Sequence, residues 1–258
     1  IAAMVILLLV LWYFLGQKRA EDLNNRVFLF FAVLGTADVV AEFFTNYYIT
    51  SYNSDMENAA VIVTTIFYLL QALLPVTFIF YIQTLHEQKI ISAKKMFISG
   101  VPTLVLISVI LTNPFTEKLF SFDVTAGYVK GPWYLLMYVS ALGHFAVALL
   151  LILLWRKKLG PQKEKILLEI FVISGVGVVL QMFCQSLLMT GFGMSLGILA
   201  LFITINNPNA NLDSLTGLYN HLYLTRKMGE LIASGKSFHI ITVYLYQLKY
   251  INRVAGVQ

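Results

Sequence analysis

The chain has 258 residues, 59% of them hydrophobic and 12% charged, with a formal net charge of +5. Soluble domains average about 25% charged residues, so this composition argues against an ordinary soluble enzyme and for a polytopic membrane protein. The single cysteine, Cys184, lies in an apolar run and excludes both a disulfide framework and a multi-cysteine metal site.

Crossing about 30 Å of hydrocarbon takes about 20 apolar residues in a helix. Seven segments fit or nearly fit: Ile1–Gly16, Val27–Tyr48, Ala59–Leu85, Met96–Thr112, Trp133–Trp155, Ile166–Met189 and Phe192–Asn206. The first, "IAAMVILLLVLWYFLG", ends in "QKR" without a small-residue cleavage site. It reads as a membrane helix and not as a signal peptide. In the last, Gly191, Gly193 and Gly197 weaken the helix. Between spans 4 and 5, "LFSFDV" alternates, "TAG" turns and "YVKGPW" resumes a strand. That pattern predicts a small β-hairpin over one mouth of the bundle. Trp133 and Tyr134 beside it suit an interfacial aromatic belt.

The basic residues are distributed unevenly. Lys18, Arg19, Arg26, Lys89, Lys94, Lys95, Arg156, Lys157, Lys158, Lys163 and Lys165 fall in alternate connections, and only Lys118 and Lys130 fall in the others. Positive charge marks the cytoplasmic side. The N-terminus is therefore expected outside and the C-terminus in the cytoplasm. This use of the charge leaves no nucleic-acid patch.

Ionisable groups at membrane depth are costly and usually face the bundle interior. Asp38 and Glu42 share one face of span 2, and span 5 carries His144. Gln71 precedes Pro75 in span 3, and Gln181 and Gln185 share a face of span 6. These six, Asp38, Glu42, Gln71, His144, Gln181 and Gln185, are the candidate pocket for a polar small molecule. The competing account is interhelical hydrogen bonding with one ion pair, His144 to Asp38. A metal site is not expected, because the spacing matches no ligand motif. Pro75 and Pro102 are expected to kink their helices and make room for a cavity.

Beyond the last span, "NNPNANLD" is turn-rich. Asn220 is placed to cap a helix starting at His221, which "SGK" ends. "SFHIITVYLY" is strand-like, and "QLKYINRVAG" starts a second helix. The expected organisation is a sensor bundle over 1–206, a linker over 207–212 and the opening of an α/β domain over 213–258. Such a run is too short for a stable core, so the native chain is expected to continue past Gln258.

In "DSLTGLYNHLYL", the residues Asp213, Leu215, Thr216, Gly217, Leu218 and Asn220 resemble the entry motif D-x-L-T-G-L-x-N-R of the GGDEF family of diguanylate cyclases. "VYLYQLKYINRVAG" is similar to that family's strand–helix motif D-[IL]-D-x-F-K-x-I-N-D-x-x-G, through Lys249, Ile251, Asn252 and Gly256. The likeness covers about the last 45 residues. The seven-span part, with "FSFDVTAGYVKGPWYLLMY", resembles the seven-helix sensor module at the N-terminus of bacterial histidine kinases and GGDEF proteins.

The departures matter for what this resemblance implies. The family's metal-binding Asp is replaced by Tyr244, its second Asp by Tyr246 and the Asp after the Asn by Arg253. A phenol with a reference pKa of about 10 does not replace a carboxylate on Mg²⁺ at neutral pH. The expected catalytic set is therefore empty, and GTP and Mg²⁺ would be held only by a complete domain. Asn252 matches the position that meets the guanine base.

The resulting expectation is an all-α seven-transmembrane bundle with an extracellular hairpin, followed by a degenerate GGDEF-like segment. Its expected role is a small-molecule receptor of the bacterial inner membrane, working as a homodimer in the lipid bilayer without nucleic acid. The alternatives are a transporter or channel using Asp38, Glu42 and His144, and an active diguanylate cyclase.

Overall fold

The computed structural model describes residues 1–17, 23–87, 93–123, 125–183, 189–206, 213, 215–216, 218–233, 235, 237–243, 246 and 253–254. The chain divides into two compact units, Ile1–Ala210 and Asn211–Gln258.

The first unit is built from helices α1 (Ala2–Gly16), α2 (Leu23–Thr50), α3 (Glu57–Glu87), α4 (Ala93–Thr116), α5 (Leu135–Leu159), α6 (Pro161–Phe183) and α7 (Met189–Thr204). They coincide in position with the seven apolar segments. Three of them, α2, α3 and α5, carry stretches long and apolar enough to cross a membrane. Ala2–Gly16, Gly100–Thr116 and Thr190–Thr204 are apolar but shorter. Large apolar side chains lie on the surface, among them Trp12, Val105 and Leu154. Such a surface suits hydrocarbon better than water.

Neighbouring helices pack in the order α2, α3, α5, α6, α7 and back to α2, so five helices close a ring. Helix α1 packs outside it on α2 and α7, and α4 packs on α3 and α5. Two apolar clusters fill the unit. One gathers Phe14, Phe28, Ile82, Ile198 and Leu201. The other gathers Phe67, Tyr68, Ile110, Phe120 and Phe122.

Between α4 and α5 the chain forms the predicted hairpin. Strand β1 (Phe120–Asp123) pairs antiparallel with β2 (Gly127–Lys130), Phe120 opposite Lys130 and Asp123 opposite Gly127. The Asp123 carboxylate accepts the backbone N–H groups of Thr125 at 2.8 Å and Ala126 at 2.9 Å, and Gly127 takes a positive φ of 68°. These bonds, led by that of the Thr125 hydroxyl, hold the Asp123 carboxyl below its ordinary range.

The hairpin is tied down by one buried side chain. Asn113, near the end of α4, donates to the Phe120 carbonyl at 3.0 Å and accepts from the Leu119 and Phe120 amides at 2.7 and 3.3 Å. Phe120 meets Tyr68 of α3 edge-on at 5.3 Å, and Phe122 stacks on Tyr52 at 5.2 Å. The hairpin thus lies on α3, as expected of a cover over the bundle. Gly131 makes its return close: a Cβ there would stand 2.2 Å from the Lys118 carbonyl oxygen.

In the second unit, helix α8 (His221–Ala233) starts as predicted. Asn220 Oδ1 accepts the Tyr223 amide at 3.0 Å. Ahead of it, Asp213 accepts from the amides of Thr216 at 2.9 Å and Leu215 at 3.2 Å. Leu222, Leu224 and Ile232 of α8 are exposed. The strand expected over 237–246 does not form over 237–243. A strand exists through its ladder, and no described residue of this unit pairs with it as a second strand. The expected second helix lies almost wholly outside the described residues, with Arg253 and Val254 helical.

Replacing Asn113 by Ala strands two buried amides and a carbonyl. The hairpin is expected to lose about 1–3 kcal/mol, seen as faster amide exchange at Leu119 and Phe120.

Candidate ligand cavity

The helix ring, with α4 and the hairpin, lines a half-open cavity of about 310 Å³. Five of the six candidate residues line it: Asp38, Glu42, Gln71, His144 and Gln181. Gln185, like Asn252 and Tyr244, lies outside the described residues. The walls are otherwise mostly aromatic and aliphatic, with Phe31, Phe67, Phe78 and Phe145 among them.

The polar groups divide by whether they have partners. Glu42 is 4% exposed and has two: Gln181 Nε2 donates to its Oε1 at 3.3 Å, and the Gly191 N–H donates to it as well. Gln181 Oε1 in turn accepts the Thr190 amide at 2.8 Å and the Thr190 hydroxyl. This chain links α2, α6 and α7. It also explains Gly191. A Cβ there would stand 2.3 Å from Glu42 Oε2, so only glycine admits the carboxylate. The glycines expected to weaken the last span leave α7 helical and permit close approach. At Gly197 a Cβ would come within 3.0 Å of Ile170 on α6.

His144 is also satisfied. Its Nδ1 lies 2.7 Å from the Ser140 carbonyl oxygen, which can only accept, so Nδ1 carries a proton. Nε2, 2.9 Å from the Thr103 hydroxyl, accepts from it in the neutral ring. Both nitrogens are engaged, and the ion pair of His144 with Asp38 does not form. The histidine ties α5 to α4.

Asp38 differs from these. It is 1% exposed, and neither carboxyl oxygen has a hydrogen-bond partner among the described residues. Its i, i+4 neighbour Glu42 is a second acid and repels it. An orphaned buried carboxyl costs several kcal/mol where it stays charged and about 1–3 kcal/mol where it is neutral. Beside it, Pro75 lacks an N–H and leaves the Gln71 carbonyl without its helical donor.

Four tyrosines close the hairpin side of the cavity: Tyr68, Tyr128, Tyr134 and Tyr138. The Tyr68 and Tyr128 hydroxyls are 2.6 Å apart, joining α3 to β2, and those of Tyr134 and Tyr138 are 2.9 Å apart. Burial pushes the Tyr128 phenol up to about 12, so it stays neutral. The expected interfacial pair is split. Trp133 is 46% exposed, with Lys118 Nζ 4.2 Å above its ring, whereas Tyr134 turns to the cavity. The i, i+4 spacing of Tyr134 and Tyr138 was the signal for that face. Nothing local marked Tyr68 or Tyr128 as partners across 60 residues.

At the bundle end away from the hairpin lies a second polar cluster. Tyr81 donates to Asn206 Oδ1 at 2.5 Å, and Asn206 Nδ2 donates to Asn25 Oδ1 at 3.0 Å. Thr84 donates to Asn24 Oδ1 at 3.2 Å. Asn206 is buried and directly follows α7.

No group of three or more His, Cys, Asp or Glu among the described residues is arranged to hold a metal. No family model, curated protein or solved structure matches the chain.

The two acids predict opposite responses. Asp38→Leu removes an orphaned carboxyl and is expected to raise the thermal midpoint of the ligand-free chain, by the equivalent of about 1–3 kcal/mol. Glu42→Leu strands Gln181 and the Gly191 amide and is expected to lower it by a similar amount. Thermal melts of both in one detergent decide the sign.

Proposed function

We propose that the chain is a seven-pass receptor of a bacterial cell membrane that takes a small molecule into the helix ring. The single observation that carries this reading is Asp38, a buried carboxyl with no hydrogen-bond partner among the described residues, on the wall of a cavity where Glu42, Gln181 and His144 are paired. A group held at a cost to stability has a role that folding does not explain. A cavity of this size and largely apolar lining suits one small ligand.

In this reading the ligand rearranges the Glu42–Gln181–Thr190 links, and α7 carries the change to Asn206 and into the segment beyond it. The tail relays the signal as a catalytically degenerate GGDEF-like module, by the resemblance of its two motifs. The uneven basic residues support a cytoplasmic tail.

Native mass spectrometry of the gently solubilised full chain tests the pocket. A stoichiometric small-molecule adduct is expected, lost on Asp38→Asn, and proteoliposomes are expected to show no flux of that molecule. A clean apo mass together with measurable flux would sink the receptor reading. The relay has its own test. Asn206→Leu is expected to keep the adduct and abolish any ligand-dependent change in protease cleavage between 207 and 212.

A further inference from the structure

We infer that the ligand is an organic monocation, an ammonium group carried on an apolar body. The inference rests on the receptor reading and specifies the chemistry of its site.

The described side chains that line the cavity include two carboxyl groups and no Lys or Arg. Both ring nitrogens of His144 are already engaged, Nδ1 by the Ser140 carbonyl and Nε2 by the Thr103 hydroxyl. Of the two acids, Glu42 already accepts from Gln181 and Gly191. Asp38 accepts from nothing among the described residues and is 1% exposed. One open carboxylate matches one positive charge, and a bound cation supplies the missing partner.

The walls decide between an inorganic and an organic cation. A hard metal ion needs six or more oxygen ligands, or an octahedral shell rich in water. Asp38 offers two oxygens among rings and aliphatic side chains, and no metal-ligating cluster exists among the described residues. An ammonium group on a hydrocarbon body matches both parts of the site. The phenol rings of Tyr68 and Tyr138 also line the cavity, and aromatic rings attract cations. The volume of about 310 Å³ admits a body of roughly one ring and a few methyl groups.

The test uses the full chain in lipid nanodiscs and three probes of nearly one shape. 3-Phenylpropylammonium carries the charge, butylbenzene is its neutral isostere, and 4-phenylbutyrate carries the opposite sign. The cation is expected to bind one per chain, about tenfold or more tighter than the other two, a difference of about 1.4 kcal/mol or more. Asp38→Asn is expected to remove that preference. Glu42→Gln is expected to weaken the cation less than Asp38→Asn does. Equal binding of the neutral isostere or the anion to the wild-type chain overturns the cation assignment and leaves the pocket standing. So does full cation affinity in Asp38→Asn. Failure of all three probes on folded wild-type chain overturns the cation assignment and counts against the pocket as well. The comparison of probes needs only the wild-type chain, so it holds even where the Asp38 variant misfolds.

Discussion

Every polar group inside an apolar bundle needs a partner, because neither hydrocarbon nor packed side chains supply one. That constraint accounts for most of the architecture. Asn113 satisfies the hairpin's amides, His144 joins α5 to α4, Glu42 joins α2 to α6 and α7, and Asn206 joins the end of α7 to α2 and α3. Glu42 and Asn206 link helices that are remote in sequence. Together they choose one packing among the many that apolar surfaces alone would allow.

Against that pattern Asp38 stands alone among the cavity's acids. Apolar replacement of such a group normally stabilises a protein, so the residue is a liability in the empty bundle. A functional role resolves this, since binding energy offsets a cost that folding leaves in place. The hairpin contributes through Tyr128, whose hydroxyl meets Tyr68 over the cavity. A ligand in the ring would therefore touch the cover and the helices together.

The tail is organised by local chemistry. The Asp213 turn and the Asn220 cap need only neighbouring backbone amides, and both form as their residues predict. The segment over 237–243 needs a partner strand instead, and it forms no ladder. Leu222, Leu224 and Ile232 of α8 remain exposed for the same reason, since burial requires a second layer.

The sequence by itself determined the helix positions, the hairpin and the polar residues that face inward. Helix length, period-two alternation and the cost of ionisable groups in hydrocarbon are all local or compositional signals. Its placing of Asp38, Glu42, Gln71, His144 and Gln181 around one cavity followed from their common depth and face. What it left open was which of them bond to each other. His144 reads as a partner for Asp38 by charge, yet Thr103 and the Ser140 carbonyl occupy it. Gly191 reads as a helix weakness, yet Glu42 fills the space beside its Cα. Tyr68 and Tyr128, or Tyr81 and Asn206, meet only once the ring has closed. Only the tertiary structure decided these pairings, because a hydrogen bond depends on angstrom-scale approach between helices, and no periodicity along one helix encodes its neighbour's register.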